Sequence, residues 1–342
     1  MKVLSLIVPS YNSEQFLDKC LASFIDDTVI DKLDIIVVND GSTDNTPDIA
    51  NKYCDRYPQS VRLINQENKG HGGALNTGCE NAKGKYLKVI DADDWIDTEN
   101  LSVFISKLEE IESDVVLTHY TTVNVSDGVV KRWMSYPIDF ERNYDLNEIS
   151  ENWNHFDRCF TFHGITYKTD FYQNSGYRLS EKVFYEDHEF STFPACYANS
   201  VYPIDLSLYC YRVGDINQSV SEQNSVKRLS HTETVLKRFV SEFNNNLNKL
   251  YSKEFVANKA KILLISHIST ALLSDSDRKR GKKCAKEIMA YFKTNFPMVY
   301  GMCKKKYLTL KLMHFFRIKK KTLDKLIHGK LYLRLKGAND FN

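Results

Sequence analysis

Three carboxylates crowd four positions at Asp91-Ala92-Asp93-Asp94, directly after the strand-like stretch Lys85-Tyr86-Leu87-Lys88-Val89-Ile90. Like charges a few Å apart repel, and each raises the pKa of its neighbours. A hard divalent cation with oxygen ligands, Mg²⁺ or Mn²⁺, removes that penalty. Mg²⁺ keeps one or two protein carboxylates and fills its shell with water and substrate phosphates, so the cluster points towards a phosphorylated substrate. The competing reading is an acidic loop before a helix, with Asp94 as its N-cap. A second acidic pair, Glu186-Asp187, sits in the aromatic step Phe184-Tyr185-Glu186-Asp187-His188-Glu189-Phe190. Such carboxylates suit proton abstraction. They also suit a helix N-terminus, where the macrodipole favours negative charge. Gly70-His71-Gly72-Gly73 is neither a G-x-G-x-x-G fingerprint nor a P-loop, since no Gly-Lys-Ser/Thr follows. Its glycines permit close backbone approach to a ligand, and His71 reads as an ordinary polar loop residue.

These groups need elements to position them. Val3 to Val8 and Asp34 to Val38 are near-continuous apolar runs, the pattern of strands buried on both faces. Val61 to Ile64 and Lys85 to Ile90 read as a third and a fourth strand. Between them, Ser13 to Phe24 carries apolar residues at helical spacing with Ser13 as N-cap. Thr46-Pro47-Asp48 opens a second helix, and Ala74 to Asn81 forms a third. Alternating β and α predicts a parallel sheet with helices on both faces, whose ligands bind beyond the carboxyl ends of the strands. Pro9-Ser10-Tyr11-Asn12, Asp40, the glycine-rich loop and Asp91 to Asp94 all fall at that edge.

The 342 residues suffice for one large domain or two ordinary ones, and a 42 % hydrophobic, 26 % charged composition is globular. No apolar run approaches the ~18 residues of a membrane span, and Pro9 stops the first run too early for a signal peptide. The expected location is cytoplasmic, with eight reduced cysteines lacking any C-x-x-C spacing. Charge is split. Val226 to Asn342 holds 27 Lys+Arg against 8 Asp+Glu, and the rest of the chain 19 against 36. Within the basic part, Val235, Phe239, Phe243 and Leu247 give one apolar helical face, and Ile262 to Leu273 a second helix. A basic helical tail has three readings: a peripheral foot on the anionic inner face of a membrane, a docking or oligomer surface, or a solvated face without a role.

Five blocks in order, Ile7 to Asn12, Val38 to Asp44, Asn68 to Gly78, Asp91 to Asp94 and Glu186-Asp187, resemble family 2 glycosyltransferases of the GT-A fold over about residues 1–220. Bacterial enzymes that build capsule, exopolysaccharide, lipid-linked oligosaccharide or teichoic acid glycans are the nearest in pattern. The resemblance implies an α/β fold, with a Rossmann-like, mostly parallel sheet and helices on both faces. It places a catalytic domain at 1–221, nucleotide-binding over 1–100 and acceptor-facing over 101–221, while 222–342 reads as a basic helical C-terminal region from its own apolar periodicity and charge.

The implied reaction is inverting transfer of a hexosyl or N-acetylhexosaminyl group from a UDP-sugar to a hydroxyl of a cell-surface glycan or lipid-diphosphate-linked acceptor. Asp187 is then the base, with Glu186 orienting it or the acceptor. Asp93 binds Mn²⁺ or Mg²⁺, and Asp91 contacts the ribose or the metal shell. Asp40 accepts from the uracil imide. Pro9, Tyr11 and Asn12 wall the nucleotide, Lys69, Gly72 and Asn76 lie near it, and Arg212 sits by the leaving group. Tyr211-Arg212 and Gln218 to Ser221 form the segment after the base, and Trp153, Phe162, His163 and Tyr167 line the acceptor cleft or pack the core. Two other readings remain at this stage. One is a non-catalytic anionic-ligand or nucleic-acid binding protein, against which stands the lack of any nucleic-acid motif. The other is a sugar nucleotidyltransferase, against which stands the lack of an N-terminal triphosphate loop.

Overall fold

The computed structural model describes residues 2–133, 138–214, 222–247, 252–318 and 320. Gln218 to Ser221 and the tail beyond Lys320 lie outside the described residues. By contacts the chain forms two compact units, Met1–Gln218 with Glu242–Val256, and Ser219–Ser241 with Ala257–Asn342.

The first unit begins with β1 (Leu4–Ser10), α1 (Leu17–Ala22), β2 (Leu33–Asn39), α2 (Thr46–Arg56), β3 (Val61–Asn65), α3 (Gly70–Glu80) and β4 (Tyr86–Val89). Every residue of β1 and β2 is buried, so both sheet faces are covered, as their unbroken apolar runs require. Then follow β5 (Trp95–Ile96), α4 (Leu101–Glu110), β6 (Val115–Asn124), β7 (Val130–Trp133), α5 (Leu146–Glu151) and α6 (Trp153–Phe156). β8 (Ile165–Lys168), α7 (Thr169–Asn174), α8 (Asp187–Phe190) and β9 (Val201–Val213) complete it. The sheet order is β3-β2-β1-β4-β8-β6-β9-β5, with β7 beside β6. β1 to β4 pair parallel and β6 pairs parallel with β9, whereas β8, β7 and β5 run antiparallel to their neighbours. The sheet is therefore mostly parallel, of the GT-A type.

Register sets the site. Ser10 lies opposite Asn39, so β1 and β2 end together, and the Asp40 amide donates to the Ser10 carbonyl at 2.9 Å. β4 stops at Val89, opposite Ile7. Pro9 thus lies beyond the end of β4, where its missing N–H leaves no gap on that side of the ladder.

Three local expectations change. α1 starts at Leu17, behind a turn in which the Ser13 carbonyl accepts from Phe16 and Leu17. α3 starts at Gly70, so the glycine-rich segment is helical. Asp94 caps no helix. β5 follows it, held by pairing with β9, and α4 begins after Asn100.

The second unit is helical, as the basic region implies: α9 (Glu222–Lys227), α10 (Leu229–Asn245), α11 (Lys253–Ser269), α12 (Arg278–Asn295) and α13 (Pro297–Phe315), with a π turn over Thr270–Ser274. α10 and α11 cross between the two units at their ends. Asp277 caps α12 by accepting from the Lys279 and Arg280 amides, and Pro297 occupies the first turn of α13. Among the described residues, no helix is long and apolar enough to cross a membrane.

Candidate active site

The loops after β1 and β2 are stitched together. The Asn12 side chain accepts from the Thr43 amide at 2.8 Å, and the Asn12 amide donates to the Ser42 hydroxyl at 3.0 Å. Asn12 adopts a left-handed backbone, φ 49°, which Asn tolerates better than most residues. Its amide oxygen is thus a loop tie, and the neighbouring Tyr11 ring stands 53 % exposed rather than in the core. Asp40 is buried. Its Oδ1 accepts from Gln66 Nε2 at 2.7 Å and from the Lys69 amide at 2.8 Å, while Oδ2 has no partner among the described residues.

Past β4, the acidic turn is anchored from the far side of the sheet. Tyr209 of β9 donates its hydroxyl to Asp94 Oδ2 at 2.6 Å and accepts from the Asp91 amide at 3.1 Å. Asp94 Oδ1 accepts from the Arg212 amide at 2.7 Å. Both Asp94 oxygens are thus committed to β9. The three carboxylates offer ligand atoms within 4.8 Å of one another, the one such group among the described residues, and His188 is not part of it. The Asp93 carboxylate accepts from its own backbone amide and from no other described residue. Burial, then the Asp91 charge, push its pKa up to about 6, against the opposing pull of that amide, Arg212 and His71. The Arg212 guanidinium lies over Phe16, 4.6 Å from the ring centroid.

His71, on the first turn of α3, is the link that local sequence could not supply. Its Nε2 meets Asp91 Oδ1 at 2.9 Å and its Nδ1 meets Glu186 Oε1 at 2.5 Å. Both nitrogens face carboxylates, so the ring serves both only as a doubly protonated cation. Burial draws its pKa down, but Asp91 and Glu186 prevail and hold it well above 6.5. Glu186 is 4 % exposed, and its Oε2 is buried without a hydrogen bond among the described residues.

The segment before Glu186 lies on α3. Asn76 gives its amide to the Leu179 carbonyl at 3.0 Å and accepts from the Leu179 amide at 2.8 Å. The Lys182 amide donates to the Lys69 carbonyl at 3.0 Å. A Cβ on Gly72 would stand 2.1 Å from the Ser180 carbonyl oxygen. The buried Asn76 side-chain amide is engaged by Leu179, and the hydrogen of Gly72 makes room for the 177–186 segment. Gly72→Ala is expected to cost the ~1–3 kcal/mol typical of overpacking. A lowered melting temperature and faster tryptic cleavage at Arg178 and Lys182 would report it; an unchanged melt would contradict the contact.

Lys182 and Tyr185 are held at φ 56° and 75°, conformations costly for side chains with a Cβ. That backbone delivers Glu186 and then Asp187 at the start of α8. The Asp187 carboxylate is half-buried and hydrogen-bonds to no described residue. Beside it, His163 stacks on Tyr211, centroids 4.3 Å apart, and meets Tyr209 edge-on at 5.0 Å. Burial lowers its pKa to about 4 despite the charges of Asp91 and Asp187, so the ring is neutral at pH 7. Beneath, fully buried Lys88 donates to the His163 carbonyl at 2.8 Å and the Ile165 carbonyl at 3.1 Å. Burial pulls its pKa down to about 7. The other expected cleft residues pack the core: Tyr167 donates to the Phe190 carbonyl at 2.6 Å, Phe162 is buried, and Trp153 meets Phe255 edge-on.

Comparison with known proteins follows the geometry. Residues 5–170 match the model of glycosyl transferase family 2. The curated relatives include "Glycosyltransferase GlyA" of Streptococcus pneumoniae, 36 % identical over 149 residues. That match covers 44 % of this chain and 21 % of GlyA, so the chain corresponds to a minor part of that relative. "Putative glycosyltransferase EpsH" of Bacillus subtilis is 29 % identical over 285 residues, 80 % of this chain and 77 % of EpsH. Among solved structures, S. aureus TarS 1-349 in complex with UDP-GlcNAc superposes with a TM-score of 0.54 at 20 % identity, covering 92 % of this chain and 91 % of that one. Residues 5–170 of this chain thus carry a glycosyl transferase family 2 domain.

Proposed function

We propose that this chain is an inverting transferase that moves a hexosyl or N-acetylhexosaminyl group from a UDP-sugar to a hydroxyl of a bacterial cell-surface glycan or lipid-linked acceptor. The observation that carries the reading is the Asp91–His71–Glu186 bridge, which couples the acidic turn to the segment bearing Asp187. Asp40 would take the uracil N–H on Oδ2, since both of its internal bonds fall on Oδ1. Tyr11 offers an exposed ring for the nucleotide. The TarS complex with UDP-GlcNAc is a neighbour in fold whose donor agrees with this choice.

The donor set fits a hard divalent cation, being all carboxylate, with Asp93 bonded to no other described residue. Asp93 and Asp91 would hold Mn²⁺ or Mg²⁺, which when bound neutralises charge on the departing diphosphate. Asp187 takes the acceptor hydroxyl proton as that oxygen bonds to the anomeric carbon. The bond from that carbon to the diphosphate breaks, and UDP leaves with the electron pair. Attack from the face opposite the leaving group inverts the configuration. Arg212, close enough to Asp93 to lower its pKa, adds positive charge on the diphosphate side.

His71 acts here through others, as a positioning residue. His71→Ala is expected to lower kcat by about 10²-fold, the scale of a 1 Å misplacement of reacting groups, with a much smaller change in donor KM. A parallel loss in KM would instead mark His71 as a donor contact. The proposal as a whole is tested by UDP release from UDP-glucose, UDP-galactose and their N-acetyl forms with Mn²⁺ and with chelator. One of the four should turn over, only with metal; silence from all four would sink the reading.

A further inference from the structure

The last helix of the second unit has two apolar faces. Val299, Cys303, Leu310 and His314 are buried on one. On the opposite face Met298, Met302, Leu308, Leu312, Phe315 and Phe316 stand exposed, from 37 % to 74 %. At 100° per residue these six fall within one side of the helix and its continuation. A surface helix with a single buried stripe has no use for the second, and an exposed apolar face of this kind marks an interaction surface.

Its charge selects the partner. α13 contains no Asp or Glu, and Lys304, Lys305, Lys306 and Lys311 are all exposed along it. Two copies set face to face would bring like charges together, which disfavours self-association through this surface. An apolar face that carries Lys305 and is flanked by Lys304, Lys306 and Lys311 matches a membrane interface instead, with acyl chains for the apolar side chains and anionic headgroups for the ammonium groups. No described helix can span a bilayer, so the attachment would be in-plane.

We propose that the outward face of α13 is a docking surface for an anionic lipid leaflet. The inference is independent of the transfer chemistry, because its test reads binding and not turnover. The full chain is floated with vesicles of phosphatidylcholine alone or with phosphatidylglycerol added. Recovery is expected with the anionic vesicles only and should fall at high salt. The triple change Leu312→Ser, Phe315→Ser, Phe316→Ser should weaken it by about tenfold or more. Lys304→Gln, Lys305→Gln, Lys306→Gln touches no buried residue, serves if the apolar triple misfolds by circular dichroism, and should abolish the salt-sensitive part. Wild-type recovery in both triples overturns the proposal, since another part of the chain would then bind. Equal recovery with neutral vesicles, or none with either kind, overturns it too. A sedimenting dimer dissolved by the apolar triple would make a second copy the occupant and would likewise overturn it.

Discussion

Replacing Asp187 by Asn is expected to lower kcat by about 10²–10⁴-fold, the range of general base catalysis, while UDP-sugar affinity stays near that of the wild type. The substitution is isosteric and breaks no hydrogen bond to a described residue. What it removes is the capacity to accept a proton. A merely structural Asp187, holding the first turn of α8 by its charge, would show its loss in the melting temperature and spare kcat. Single-turnover transfer and calorimetric donor binding separate the outcomes. If turnover survives, the base lies elsewhere, and His163 is the group to test next. Its neutral ring has a buried Nδ1 without a hydrogen bond among the described residues and feels the Asp187 charge. His163→Gln would then carry the loss.

Of the first four strands, β1, β2 and β4 are buried along their length, β1 and β2 with near-continuous apolar runs, a signal held in adjacent residues, while the mostly half-buried β3 shows as the short segment Val61 to Ile64. From them the edge that gathers Tyr11, Asp40 and Asp91 follows. The second half was harder. β8 and β5 are four and two residues long, and their pairing with β4, β6 and β9 depends on residues far away in the chain. Asp94 looked like a helix cap for the same reason, since its partners Tyr209 and Arg212 are 115 and 118 positions off.

The site shows the same division between local and distant signals. Glycines disfavour helix by about 1 kcal/mol each, so Gly70 to Gly73 reads as a loop. The structure makes it the first turn of α3 because the 177–186 segment packs on it, where a Cβ on Gly72 would strike the Ser180 carbonyl. His71 has no acidic neighbour in sequence. Its partners lie 20 and 115 residues away, and nothing in its window distinguishes it from a polar loop histidine. Asn76 likewise ties α3 to a distant segment, since its side-chain amide pairs with the Leu179 backbone 103 positions away.

Asp93→Asn is expected to abolish metal-dependent stabilisation and UDP binding together, and linkage gives this loss a pH signature. Burial and Asp91 raise the Asp93 pKa from 3.8 to about 6. The folded, metal-free protein therefore binds more protons than the unfolded chain between those values, and Asp93 costs it stability as pH rises. The cost is absent below about pH 4 and complete above about pH 6. At 1.36 kcal/mol per unit it reaches about 3 kcal/mol. A divalent cation relieves that cost in the charged form only. Mn²⁺ should thus raise the melting temperature strongly at pH 8 and little at pH 5, with chelator reversing the gain. In Asp93→Asn the amide stays neutral, so the metal-free protein should be more stable than the wild type at pH 8 and indifferent to Mn²⁺. A mutant that keeps the full Mn²⁺ shift would move the metal to Asp91 alone, whose Oδ1 is already engaged by His71. A wild-type shift of equal size at pH 5 and pH 8 would show that the cation binds elsewhere, because no carboxylate with a raised pKa would then be competing with protons for it.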